Sequence, residues 1–159
     1  MTASDMAMIH AVNLTEARNL SPLYTEAVRD EHPVLIRRGR DEQAVLLSRD
    51  QLLVLLASYT FSVHVIPDEE IGGFTLWIDE LNLGEYGATL REARDALLSG
   101  VRSYVRHFWD QWDFYQHLRD KAEQFPYILR LSLALDDAEL KGMLFVPKDD
   151  PVSLTPHAD

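Results

Sequence analysis

The sequence predicts an α+β protein: a small strand-helix-hairpin-helix unit over residues 1–60, a mainly helical α+β domain with a short sheet and one long amphipathic helix over 61–145, and a flexible tail over 146–159. Three observations carry this. Two short apolar runs, Val34 to Ile36 and Gln43 to Leu47, flank a charged turn, which is the pattern of a hairpin. Thr89, with Glu92 three positions later, forms a capping box at the head of a stretch in which Leu90, Ala93, Leu97, Val101, Tyr104 or Val105, Phe108, Trp112 and Tyr115 recur at helical steps. The charge is also uneven. Residues 1–60 hold 8 Asp and Glu against 6 Lys and Arg, and residues 61–159 hold 18 against 9, so the net charge of -11 is concentrated in the second part.

Taken in order, residues Ile9 to Leu14 read as a strand and Thr15 as the cap of a helix towards Arg29, with Pro22 early enough to be tolerated or to divide it. The hairpin follows, its turn spanning Arg37 to Glu42. Ser48 with Gln51 then makes a capping box for a helix whose apolar face holds Leu52, Leu53, Leu55 and Leu56. A unit this small has little core of its own, so a homodimer is expected.

In the second part, Phe61 to Ile66 alternates like a strand, residues 67–73 read as a loop, and Phe74 to Ile78 places Phe74, Leu76 and Ile78 on one face with Thr75 and Trp77 on the other. Residues Asn82 to Gly87 read as a second loop. The long helix is expected to bury one stripe through Gly100 and as far as Ala122, with Pro126 ending it or opening the next. Tyr127 to Leu135 reads as a buried segment, and Asp136 with Glu139 caps a short helix ending near Leu144. Pro147, Pro151 and Pro156 in an aperiodic stretch mark the tail as flexible.

Several classes of function are set aside. There is no cysteine, hence no disulfide and no thiolate metal site. The six histidines, His10, His32, His64, His107, His117 and His157, show no metal-ligand spacing. Only His107, Asp110, Asp113 and His117 share a helix, where surface or interface polarity is the simpler reading. No phosphate loop or nucleophile elbow occurs, so neither an enzyme, a cofactor, a metal nor a small-molecule substrate is expected. No signal peptide and no run of about 18 apolar residues is present, which points to the cytoplasm and away from membranes.

The strings Val12-Asn13-Leu14-Thr15-Glu16-Ala17-Arg18-Asn19-Leu20-Ser21, Pro33-Val34-Leu35-Ile36-Arg37-Arg38-Gly39-Arg40 and Ala44-Val45-Leu46-Leu47-Ser48 together resemble the prevent-host-death (Phd/YefM) antitoxins over residues 8 to 57. That resemblance implies a dimer that binds palindromic operator DNA and a C-terminal part that neutralises a cognate protein toxin. A helix start carrying Thr15, Arg18 and Asn19 suits phosphate, and Asn13 with the hairpin's Arg37, Arg38 and Arg40 completes the DNA-binding candidates. The spacing between Arg18 and Asn19 is one residue shorter than the family's pattern, and Asp41-Glu42 follow the arginines. A dimeric protein-interaction scaffold that no longer binds DNA is therefore the alternative.

Trp77-Ile78-Asp79-Glu80-Leu81 followed by Gly87-Ala88-Thr89-Leu90-Arg91-Glu92-Ala93 resembles the HicB-like antitoxin module over residues 74 to 106. There, the resemblance implies, a partly degraded ribonuclease-H-like fold binds toxin. Trp109, Trp112, Tyr115, Tyr127 and Arg130 are the partner-binding candidates, with the domain's own core as the competing use of the rings. The expected function is that of an antitoxin that binds its toxin directly and regulates its own operon.

Overall fold

The computed structural model describes residues 20–38 and 42–145, with backbone alone at 36–38, 42 and 43. The described residues fall into two compact units, one over 20–58 and one from 59 onward. The strand expected over Ile9 to Leu14 and the tail lie outside the described residues. Among those described, no helix is long and apolar enough to cross a membrane.

In the first unit, helix α1 (Ser21–Arg29) carries Pro22 in its first turn, where the missing N–H has no intrahelical partner to lose. Glu31 turns the chain with a left-handed φ of 53°. Strands β1 (Val34–Arg38) and β2 (Glu42–Leu46) then pair antiparallel, Val34 opposite Leu46 and Arg38 opposite Glu42. The ladder thus runs further than the apolar residues alone suggested, and Arg37, Arg38 and Glu42 belong to the strands rather than to the turn. Helix α2 (Arg49–Leu55) opens on the expected capping box: Ser48 Oγ accepts from Gln51 N at 3.2 Å and Gln51 Oε1 accepts from Ser48 N at 3.3 Å. The Gln51 amide also donates to the Glu31 carbonyl, which ties the helix start to the end of α1.

The second unit begins with a three-stranded antiparallel meander of β3 (Val63–Pro67), β4 (Phe74–Ile78) and β5 (Leu83–Gly87), in that spatial order. Strand β5 corrects the expectation of a loop over Asn82 to Gly87. Asn82, at φ 53°, closes a turn in which its N–H donates to the Asp79 carbonyl at 3.1 Å and sends the chain back along β4. Gly84 and Gly87, which made the segment look like a loop, instead permit close approach. A Cβ on Gly84 would lie 2.5 Å from Trp77 Cε3, and one on Gly87 would lie 2.7 Å from Ala93 Cα.

Helix α3 (Leu90–Asp110) packs on the meander, capped by Thr89 Oγ1 accepting from Glu92 N at 3.2 Å; the Glu92 carboxylate reaches one residue past the cap, to Ala88 N at 3.1 Å. The helix is shorter than its stripe predicts. It stops at Asp110, and a single turn, α4 (Trp112–Tyr115), reverses the chain into α5 (Arg119–Ser132). Pro126 lies inside α5, neither ending nor starting a helix, at the expense of one backbone bond. Helix α6 (Asp137–Leu144) has the expected cap, Asp136 Oδ1 accepting from Glu139 N at 2.8 Å. The core joins Leu76 and Ile78 of the sheet to Leu97, Val101, Val105 and Phe108 of α3, Ile128 and Leu131 of α5, and Leu140 and Leu144 of α6.

Candidate partner-binding surfaces

Of the residues expected to meet DNA, Asn13, Thr15, Arg18, Asn19 and Arg40 lie outside the described residues. Arg37 and Arg38 are placed by their backbone at the turn end of β1, opposite Gln43 and Glu42. The first unit exposes apolar side chains in an ordered way. Leu35 and Val45, a cross-strand pair, are 45% and 58% exposed, and Val54 and Leu55 on α2 are 75% and 68% exposed. Pro33, Val45, Leu47, Val54 and Leu55 line one shallow groove, with Gln51 its polar member. Soluble monomers seldom leave such a contiguous patch in water.

In the second unit the candidate aromatic residues meet one another. Phe108 is buried with Trp112 stacked at 5.5 Å, Tyr115 at 5.5 Å and Trp109 edge-on at 5.9 Å, and Phe125 closes the group 5.0 Å from Trp112. Trp109 Nε1 donates to Ser132 Oγ at 2.8 Å, and that hydroxyl donates to the Ile128 carbonyl at 2.7 Å. Ser132→Ala is expected to leave the indole N–H unpaired and cost about 1–2 kcal/mol in urea unfolding. A neutral result would mean that water replaces the hydroxyl. Tyr127 and Arg130 form a separate contact: the Tyr127 ring sits edge-on to Tyr59 at 5.2 Å, and Arg130 donates to the Tyr59 carbonyl. Phe114, by contrast, is 61% exposed.

A polar chain braces the same region. Lys121 Nζ donates to Tyr104 Oη at 2.7 Å and lies 5.3 Å from the Tyr115 ring centre. Tyr104 donates to Gln124 Oε1 at 2.6 Å, and Gln124 Nε2 donates to the Glu80 carbonyl at 3.2 Å. His107 Nε2 stands 3.1 Å from Tyr115 Oη. Among the described residues, no group of three or more His, Asp or Glu is gathered as a metal site would need.

One surface was not singled out by sequence. The strand alternation turns His64, Ile66, Thr75, Trp77 and Tyr86 to the sheet face opposite α3, and Ile66 and Tyr86 stand 49% and 43% exposed on either side of Thr75. At the β3–β4 turn Ile71 is 74% exposed. The signal was present in the alternation of β3 and β4, which put Trp77 opposite Leu76 and Ile78. It was incomplete because β5, with Tyr86, read as a loop. His64 Nε2 pairs with Asp79 Oδ2 at 2.7 Å on this face. From residue 59 to residue 89 there are six acidic residues, Asp68, Glu69, Glu70, Asp79, Glu80 and Glu85, and no Lys or Arg.

The described residues form two compact units of an α+β protein, one with an exposed apolar groove and one with an acidic sheet that carries aromatic side chains on its outer face. The chain belongs to the PHD-like family, antitoxins of RelE/RelB toxin–antitoxin systems, whose family model matches residues 8–146. The Phd/YefM and HicB-like assignments are finer than this match. The fold is shared with a protein from Syntrophomonas wolfei subsp. wolfei assigned as the antitoxin part of a toxin/antitoxin system, at a TM-score of 0.66 and 22% identity, covering 86% of this chain and 97% of that one. No curated protein sequence matches the chain.

Proposed function

We propose that this antitoxin neutralises its toxin by direct binding through residues 61–145 and represses its own operon as a homodimer. In this reading Asn13, Thr15, Arg18, Asn19, Arg37, Arg38 and Arg40 of the first unit contact operator DNA, and no catalytic step is involved. The observation that carries the dimer is the exposed groove of Val45, Val54 and Leu55, an apolar surface of the kind that a second copy covers. The charge asymmetry supports the division of labour, since the first sixty residues are nearly balanced and the acid lies beyond them.

Sedimentation and mobility shift with the DNA upstream of the coding region test this together. Wild type should run as a dimer and shift that DNA, less so as salt rises. Val54→Asp with Leu55→Asp should run as a monomer and lose the shift, whereas Arg18→Ala should keep the dimer and weaken DNA binding about tenfold or more. A wild-type dimer that leaves the DNA unshifted at low salt would select the second reading, a dimeric interaction scaffold, which the one-residue shortening between Arg18 and Asn19 favours. A monomeric wild type would exclude both.

A further inference from the structure

We propose that the sheet face opposite α3, formed by Ile66, Trp77 and Tyr86 and extended by Ile71 at the β3–β4 turn, is where the cognate toxin docks, and that the toxin meets it with an apolar side chain ringed by Lys or Arg. The assignment rests on the toxin-binding role proposed above and locates it.

The face is apolar without belonging to the core. Val63, Val65 and Phe74 point inward and pack on the buried cluster, while Ile66, Trp77 and Tyr86 alternate outward and take no part in it. Its two rings are also held in place before any partner arrives. Tyr86 Oη donates to the Gly72 carbonyl at 2.9 Å and lies across Gly73, where a Cβ would come within 2.6 Å of that oxygen. The Trp77 ring lies over Gly84 in the same manner. The turn that presents Ile71 is fixed by Asp68 Oδ1, which accepts from Glu70 N at 3.0 Å and Ile71 N at 3.1 Å. Immobilised rings on a fixed turn lose little entropy on binding, which is how a few residues come to dominate an interface.

Charge identifies the occupant. Asp68, Glu69 and Glu70 stand beside Ile71 at one end of the face and Asp79, hydrogen-bonded to His64, at the other, and residues 59–89 hold no Lys or Arg. A second copy set face to face would bring these acids against their own kind, and nucleic acid would be repelled outright. A cationic protein surface is the complement, drawn in by the same field that excludes the others.

Calorimetric titration of the full chain with the protein encoded beside its own gene tests the face and the toxin role separately. Wild type should bind with an affinity that falls as salt rises, and Ile71→Asp and Tyr86→Ala should each weaken it about tenfold or more. Glu69→Lys with Glu70→Lys should weaken it and flatten its dependence on salt. Thermal midpoints monitor folding, and Ile71→Asp, on an exposed turn, remains informative even if Tyr86→Ala unfolds. Tight wild-type binding that all the variants retain overturns the face and leaves the toxin role standing. No wild-type binding overturns the toxin role and the face with it. If Ile71→Asp instead converts the chain alone from dimer to monomer, the face belongs to a second copy and the proposal fails.

Discussion

Phe108→Ala is expected to destabilise the second unit by about 3–5 kcal/mol, a large share of the stability of a domain this size. The side chain has no solvent exposure and touches Trp109, Trp112 and Tyr115, so its removal opens a void bounded by rings that cannot all collapse inward. The consequence should be wider than one cavity. Helix α3 ends two residues beyond Phe108, and the reversal into α5 is held by rings stacked on it. Urea unfolding followed by tryptophan fluorescence reads the effect directly, because Trp109 and Trp112 lie in the cluster. A loss below about 1 kcal/mol, well under the usual cost of such a truncation, would show that the rings hold the reversal without Phe108.

Gly87→Ala should cost about 3 kcal/mol, at the upper end of what overpacking does. The added methyl would fall 2.6 Å from the Glu92 carbonyl carbon and 2.7 Å from Ala93 Cα, and backbone in the first turn of a capped helix cannot step aside as a flexible side chain would. Relief requires α3 to lift from β5, uncovering the contact around which the unit is built. Gly142→Ala is the control. It lies within α6 with nothing near the added carbon, and should stabilise by about 0.5–1 kcal/mol through helix propensity alone. Paired denaturation curves check the contrast; similar behaviour of the two variants would mean that the helix and strand are less tightly apposed than the geometry states.

The local signals were legible where a short sequence window contains the whole cause. The caps at Ser48, Thr89 and Asp136 formed because a side-chain oxygen and the N–H it satisfies lie three residues apart. The alternation in Phe74 to Ile78 gave the inward and outward faces correctly. The readings that changed depended on distant partners. Gly84 and Gly87 read as loop residues because the Trp77 ring and the helix backbone that need their missing side chains are contributed by other elements. The apolar stripe past Asp110 continued at helical spacing although the helix did not, since the rings beyond the break return to the same cluster from a new direction. The competition between partner contact and internal packing for Trp109 turns on Ser132, a residue 23 positions away. The proposed operator contacts at residues 13–19 and Arg40 rest on the sequence.

The meander has a bearing on the order in which the unit matures. Each strand pairs with its neighbour along the chain, and α3 follows at once, so a chain emerging from the ribosome has every ladder bond available to it by Asp110. Pairings this local need little loop closure and form early. The groups that seal Phe108 from water are synthesised later, with Trp112, Phe125, Ile128 and Leu131 all downstream of it. A chain that ended at Asp110 would therefore hold a paired sheet beneath an open apolar helix, and α4 and α5 turn that nascent platform into a closed body.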